Sequence, residues 1–315
     1  MRKLRILFMG TPEFAVHILD KILEEKFQVV GVVTAPDKPA GRGRKLNQSA
    51  VKKYALENNL EVLQPTNLKS DEFQEDLKRL APNLQVVVAF RMLPKKVWQF
   101  PELGTFNLHA SLLPQYRGAA PINWAIINGE KTTGVSTFFI DEKIDTGKMI
   151  HQEKVDIDEK DNAGALHDKL MKIGAKLVCK TLSGIAKNNF NTKTQEENEE
   201  LKTAYKLTKE NTRINWQADG KVIYNHIRGL SPYPVAWTIL NNNNTAFNCK
   251  IHKASFVEEN HNLTNGKIVV DNKNLKIAVK NGYISIEEIQ LQGKRKMDVK
   301  SLLNGFSFDD DAIMS

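Results

Sequence analysis

Short runs of apolar and β-branched residues recur through the first half of the chain: LRILFMG at 4–10, QVVGVVT at 28–34, LEVLQ at 60–64 and LQVVVAF at 84–90. Between them, residues 13–26, 48–59 and 70–80 carry apolar positions at helical spacing. A strand covered on both faces has no polar face to alternate with. Continuous apolar runs therefore predict a parallel sheet with helices on both sides. GTFNLH (104–109), GVSTFFI (134–140) and, more weakly, MIHQEKVDI (149–157) predict further strands. A long helix is expected over about 163–187, where Leu166, Leu170, Ile173, Leu177 and Leu182 share one face.

From residue 188 the rhythm fails. NNFNTKTQEENEELKTAYKLTKENTRINW is polar and too poor in apolar residues to bury a core, so it reads as an interdomain linker. A helix is expected at 218–229. Strand-like pieces then follow at 235–240, 246–257, 266–271, 274–280 and 282–291, parted by the turn signals NNNN, TNG and NG. A short helix at 298–304 comes next. The expected class is α/β: a mostly parallel sheet domain over 1–189, a linker over 190–209, and a smaller β-rich domain over 210–315 that fits a barrel.

Composition changes this picture little. The 315 residues are 41% hydrophobic and 26% charged, ordinary for a globular chain and enough for two domains. No apolar stretch approaches the ~20 residues that cross a bilayer. The opening Met1-Arg2-Lys3-Leu4-Arg5 leads into a strand, not into the apolar segment of a signal peptide. Of the two cysteines, Cys179 falls on the apolar face of an expected helix and Cys249 is far from it in sequence. A buried free thiol at Cys179, no disulfide framework or zinc site, and a cytoplasmic location are expected.

Charge says more. The chain carries a formal +8. From 211 to 306 there are 13 Lys/Arg against 7 Asp/Glu, a net of +6. The acids gather elsewhere, at Glu196, Glu197, Glu199 and Glu200 and at Asp309, Asp310 and Asp311. An anionic partner for the second domain is the reading this favours.

The candidate chemistry lies in FNLHASLLPQYRGAAPINWAI (106–126). Residues two apart on a strand point the same way, so Asn107 and His109 project together at a strand's carboxyl end. In open α/β sheets that edge takes ligands. An amide and an imidazole side by side can both donate to one oxygen, as a carbonyl turning tetrahedral requires. A lone histidine there would more often satisfy nearby backbone; the pair and the proline-rich loop after it favour a site. A carboxylate should assist the imidazole. After the 134–140 strand, Asp141, Glu142 and Asp145 are all candidates. The apolar Ile144 and the Thr146-Gly147 turn modestly favour Asp145. His17, His151, His167, His226, His252 and His261 have no zinc-ligand spacing, and no metal is expected.

NLHASLLPQYRGAAPINWAI, followed by GVSTFFIDEKIDTGKM, resembles the folate-dependent formyltransferases. ILFMGTPEFA (6–15), TAPDKPAGRGRKLNQSAVKKYA (34–55), KLTKENTRINW, IRGLSPYPVAW and GKRKMDVKSLLNG extend the resemblance over nearly the whole chain, toward the branch acting on transfer RNA. It implies a Rossmann-like domain joined by a linker to an OB-fold-like barrel. It implies Asn107, His109 and Asp145 as the catalytic residues, and Ser111, Leu112, Leu113 and Pro114 as the lining of the folate site. The implied donor is 10-formyltetrahydrofolate. The implied acceptor is the free α-amino group of methionine esterified to initiator tRNA. Neither a membrane nor an obligate protein partner is called for. Two departures stand out: AFRMLP (89–94) replaces an AYGLILP-like stretch, with Arg91 for a glycine, and INW (214–216) replaces the more usual IDW.

The loop DKPAGRGRKL (37–46) bears Lys38, Arg42, Arg44 and Lys45. Alone it reads as a solvated, glycine-loosened surface loop. Beside a basic second domain, RNA contact becomes the better reading. The resemblance singles out Arg42 for the acceptor stem. Lys250, Lys253, Lys294, Arg295 and Lys296 are further candidates for phosphate contact. A formyltransferase acting on an amino-sugar nucleotide would share the Asn-His-Asp core, but the basic loop is not expected there. Glycinamide ribonucleotide formyltransferase ends near the first domain. A catalytically silent RNA-binding module has no need of the three polar residues. A nicotinamide dehydrogenase is poorly supported, because MGTPEF lacks G-x-G-x-x-G.

Overall fold

The computed structural model describes residues 2–40, 45–196 and 200–315. They fall into two compact units. Unit 1 takes residues up to 118, 133–155 and 167–203; unit 2 takes 119–132, 156–166 and 204–315.

Among the described residues up to Ala204 the strands are β1 (Ile6–Gly10), β2 (Val29–Val33), β3 (Lys38–Ala40), β4 (Lys45–Asn47), β5 (Val62–Leu63), β6 (Leu84–Val88), β7 (Thr105–His109), β8 (Arg117–Gly118), β9 (Thr132–Phe139), β10 (Met149–Asp156) and β11 (Thr203–Ala204). They alternate with α1 (Glu13–Glu24), α2 (Ala50–Glu57), α3 (Asp71–Leu80), α4 (Lys95–Trp98), α5 (Pro121–Ile127) and α6 (Ala163–Lys187). The main sheet runs β10-β9-β7-β6-β1-β2-β5. Its pairs from β5 to β7 are parallel, and β7 with β9 is antiparallel. The apolar runs are strands buried on both faces, as β1 and β6 are throughout. Leu7 and Met9 pack with Phe73 and Leu77 of α3. Each such side chain contributes about 1.5–3 kcal/mol by leaving water. Helix α3 opens where Ser70 accepts from the Phe73 amide. Asp71 and Glu72 lie in its first turn and Lys78 and Arg79 in its last, complementing the helix dipole. Several elements were not expected from the sequence. They include α5, started by Pro121 at its first position, the β3–β4 hairpin, which pairs Lys38 with Asn47 and Pro39 with Leu46, and the short α4, β8 and β11.

Unit 2 contains α7 (Gly220–Gly229), β12 (Ala236–Asn242), β13 (Thr245–Glu258), β14 (Ile268–Asp271), β15 (Asn274–Val279), β16 (Gly282–Leu291), β17 (Met297–Asp298), α8 (Val299–Leu303) and β18 (Ile313–Met314). Its antiparallel sheet runs β14-β15-β16-β13-β12-β18, with β17 on β16. The ends of that order meet. Lys267 bridges Ile313, and the Met314 amide donates to the Gly266 carbonyl at 2.8 Å. The sheet thus curls into a small barrel around Ile251, Leu275, Ile284 and Ile289, with Ile223 and Ile227 of α7 in the same core. Helix α5 packs on α7, where Asn123 donates to the Gly229 carbonyl at 2.7 Å. No helix among the described residues is long and apolar enough to cross a membrane.

Candidate active site

Strand β7 sits between a parallel neighbour, β6, and an antiparallel one, β9. Leu108 turns to one face, where it meets α6 so closely that a Cβ on Gly174 would stand 2.8 Å from its Cδ2. Asn107 and His109 take the other face. His109 is buried, and its Nε2 lies 2.8 Å from the Tyr116 carbonyl. A carbonyl only accepts, so Nε2 carries the proton and the Nδ1 edge is left for other work. The Asn107 carboxamide has no partner among the described residues, whereas its backbone is paired in the sheet.

Asp145 reaches this pair by an indirect route. Phe139 of β9 is opposite Phe106, and Ser136 is opposite His109. The end of β9 therefore lies beside the start of β7, and the 140–148 connection must turn back to bring a carboxylate to the imidazole. Asp145 adopts a left-handed φ of 56°, which aspartate tolerates better than most residues. At Gly147 a Cβ would stand 1.7 Å from the Phe139 carbonyl oxygen, so no side chain fits. The result places Asp145 Oδ2 3.8 Å from His109 Nδ1 and 2.9 Å from the Gly118 amide, which donates to it. The first distance suits charge attraction but exceeds a direct hydrogen bond. The Tyr116 carbonyl thus orients the imidazole, and the Gly118 amide orients the carboxylate. Of the other two acids, Asp141 caps its own turn, accepting from the Lys143 amide and the Thr146 hydroxyl, and Glu142 pairs with Lys95 at the surface.

The Ser111–Pro114 segment follows directly. The Ser111 hydroxyl closes a turn onto the Gln115 carbonyl at 2.6 Å. Behind it, the fully buried Ser136 hydroxyl donates to the Ser111 carbonyl (2.6 Å) and accepts from the Leu113 amide (3.1 Å) and the Gln152 amide (2.9 Å). That uses its one donor and both lone pairs. Gln152 also donates to the Leu113 carbonyl at 2.8 Å. The Leu113 side chain is buried, while Leu112 and Pro114 are partly exposed. Arg91 turns its guanidinium onto the Pro65 and Thr66 carbonyls, tying two loops together.

The sequence singled out neither Ser136 and Gln152, nor Gln195, nor the backbone groups of Tyr116 and Gly118. A polar residue inside an apolar strand, Ser136, was the one available signal. Of the basic residues, Lys38 and Lys45 lie on the hairpin arms, and Arg42 and Arg44 lie outside the described residues. Lys253 and Lys296 are paired with Glu287 and Glu288, each at 2.7 Å. Unit 2 also holds a cavity of about 580 Å³ lined by Lys209, Trp237, Asn248, Lys250, Gln290 and Gln292. No cluster of three or more metal-ligating side chains occurs among the described residues.

The family model described as "Formyl transferase" matches residues 2–182, and "Formyl transferase, C-terminal domain" matches 206–307. A methionyl-tRNA formyltransferase of Flavobacterium johnsoniae is 59% identical over 312 residues, covering 99% of this chain and 99% of that protein. The solved structure of an N-formyltransferase from Helicobacter canadensis, in complex with folinic acid and dTDP-3-aminofucose, is similar with a TM-score of 0.65. It is 23% identical, covering 94% of this chain and 100% of that one. HypX from Aquifex aeolicus in complex with tetrahydrofolic acid gives a TM-score of 0.67 at 18% identity, covering 98% of this chain and 49% of that one. At those identities the solved structures speak to the fold alone.

Proposed function

The chain belongs to the formyl transferase family, and from that premise we propose that it moves the formyl group of 10-formyltetrahydrofolate to the α-amino group of methionine on initiator tRNA, in the cytoplasm. The observation that carries the chemistry is the unpartnered Asn107 amide beside the Nδ1 edge of His109, with the Asp145 carboxylate 3.8 Å from that edge. Such a donor set fits a carbonyl oxygen.

The folate supplies the formyl group as an activated amide. Asn107 and a protonated His109 donate to the formyl oxygen as it gains charge, and losing one such donor costs roughly 10²–10³ in rate. The attacking amine must be neutral; an α-amino group has a pKa of about 7.7–8.0, so a useful neutral fraction exists at physiological pH. One bond forms, from the amine nitrogen to the formyl carbon. One breaks, from that carbon to the folate nitrogen. The amine gives up one proton and the departing nitrogen gains one. Asp145 accepts the first, and His109 relays a proton toward the second. The buried bonds to Ser136 and Gln152 hold the Ser111–Pro114 backbone as a wall for the folate.

Lys38 and Lys45 of the β3–β4 hairpin, together with Arg42 and Arg44, serve the acceptor end of the tRNA. Lys250 shares the unit 2 cavity with Trp237, over whose ring the Lys209 ammonium lies at 5.2 Å, and these cations offer phosphate contacts. The test is acceptor choice. The enzyme is given 10-formyltetrahydrofolate with methionyl initiator tRNA, and separately with a dTDP-linked amino sugar. Formylated methionine with an unmodified sugar is expected. Transfer to the sugar alone overturns the reading.

A further inference from the structure

Gln195 lies in the stretch that the sequence marks as linker, yet it is 6% exposed. Its carboxamide makes four hydrogen bonds. The nitrogen donates to the carbonyls of Asp145 (2.9 Å) and Gly147 (2.8 Å). The oxygen accepts from Arg117 Nε (3.1 Å) and Nη2 (2.8 Å). That exhausts an amide's two donor protons and two lone pairs. The orientation is also unambiguous: backbone carbonyls cannot donate and a guanidinium cannot accept. Two residues upstream, Lys193 and Met149 exchange backbone hydrogen bonds of 2.8 and 2.9 Å, fixing the segment against the start of β10.

The partners of Gln195 matter more than their number. Arg117 stands between Tyr116, whose carbonyl holds the imidazole, and Gly118, whose amide holds the carboxylate. Asp145 and Gly147 are the two residues at which the 140–148 connection turns back on itself. One side chain therefore ties the loop carrying the acid to the Tyr116–Gly118 segment that aligns both acid and imidazole. We propose that Gln195 is a positioning residue that sets the Asp145–His109 geometry through these four bonds. The proposal rests on the reading of Asp145 and His109 as the proton-handling pair. A proton relay is sensitive to small displacements, and a 1 Å error can cost about 10²-fold in rate.

The test uses the full chain with Gln195→Met, which keeps the shape without donors or acceptors, and Gln195→Glu. The glutamate keeps a partner for Arg117 but, ionised, cannot donate to the two carbonyls. Each is made alone and on Asp145→Asn, and kcat, both KM values and the thermal midpoint are measured. The expected result is a kcat loss of roughly 10–100-fold in both single variants, with KM values within about threefold of wild type. On Asp145→Asn, neither change should cost more than about a further twofold, because the residue it positions is already disabled. If Gln195→Met does not fold, Gln195→Glu alone decides. Wild-type kcat in a folded Gln195 variant overturns the proposal. So does a loss of the same factor with and without Asp145→Asn, which marks a merely structural role. Wild-type kcat in Asp145→Asn by itself rejects the reading of Asp145, a result distinct from the other two.

Discussion

His109 has one nitrogen committed to the Tyr116 carbonyl, and Asn107 beside it has an amide committed to nothing among the described residues. That asymmetry makes Asn107 the cleaner donor to remove. Asn107→Ala leaves no buried group unpaired, so transfer should slow about 10²–10³-fold with the thermal midpoint nearly unchanged. Steady-state kinetics beside a melting curve check this. Ser136 is the opposite case. Ser136→Ala breaks three buried bonds at once, and stability should fall by about 1–3 kcal/mol. The folate KM should rise as the Ser111–Pro114 wall loosens; urea unfolding and a folate titration separate the two effects. The thiols should be silent. Burial pushes Cys179 up to about 11 and Cys249 up to about 12, so little thiolate exists at neutral pH. A thiol reagent should label neither in the native protein and both in denaturant. The Asn107–His109 pair could be read from the sequence because strand periodicity fixes its direction. The Tyr116 carbonyl and Gly118 amide could not, since every residue carries such groups and only the fold selects among them.

At the scale of elements, apolar runs announced the parallel strands because both faces of those strands are covered. Helix α5 gave no such warning. Ile122, Ile126 and Ile127 are β-branched, and the proline that begins the helix also reads as a break. Gln195 reaches Arg117 across 78 positions and Asp145 across 50, distances over which local pattern carries no signal. Helix α7 makes a prediction of its own. His226 has a buried Nε2 with no partner among the described residues, and burial holds its imidazole below the ordinary value. Burial likewise lowers His151 and His252. The unfolded chain then takes up protons first as pH falls through about 6.5, so stability present above that pH is lost below it. The urea midpoint should drop between pH 7.5 and 5.5. His226→Gln should flatten the drop in part, leaving what His151 and His252 contribute. An equal drop in the variant counts against the assignment.

Across the whole molecule, the two-part rhythm pointed to a mostly parallel α/β sheet followed by an antiparallel β-rich sheet, and both are present. Which cations stand free was not legible, because carboxylates such as Glu287 and Glu288 are brought to Lys253 and Lys296 only by strand pairing. If phosphate contacts supply much of the tRNA affinity, KM for charged tRNA should rise steeply with salt. Lys250→Ala should weaken tRNA use more than Lys253→Ala, whose ammonium is already paired. The most direct test of the account is the single-turnover rate of formyl transfer to methionyl initiator tRNA, at saturating folate and tRNA, in Asp145→Asn and His109→Gln. A fall of about 10²–10⁴-fold in each, with both substrates still bound, is predicted. A rate near that of wild type in either variant contradicts it.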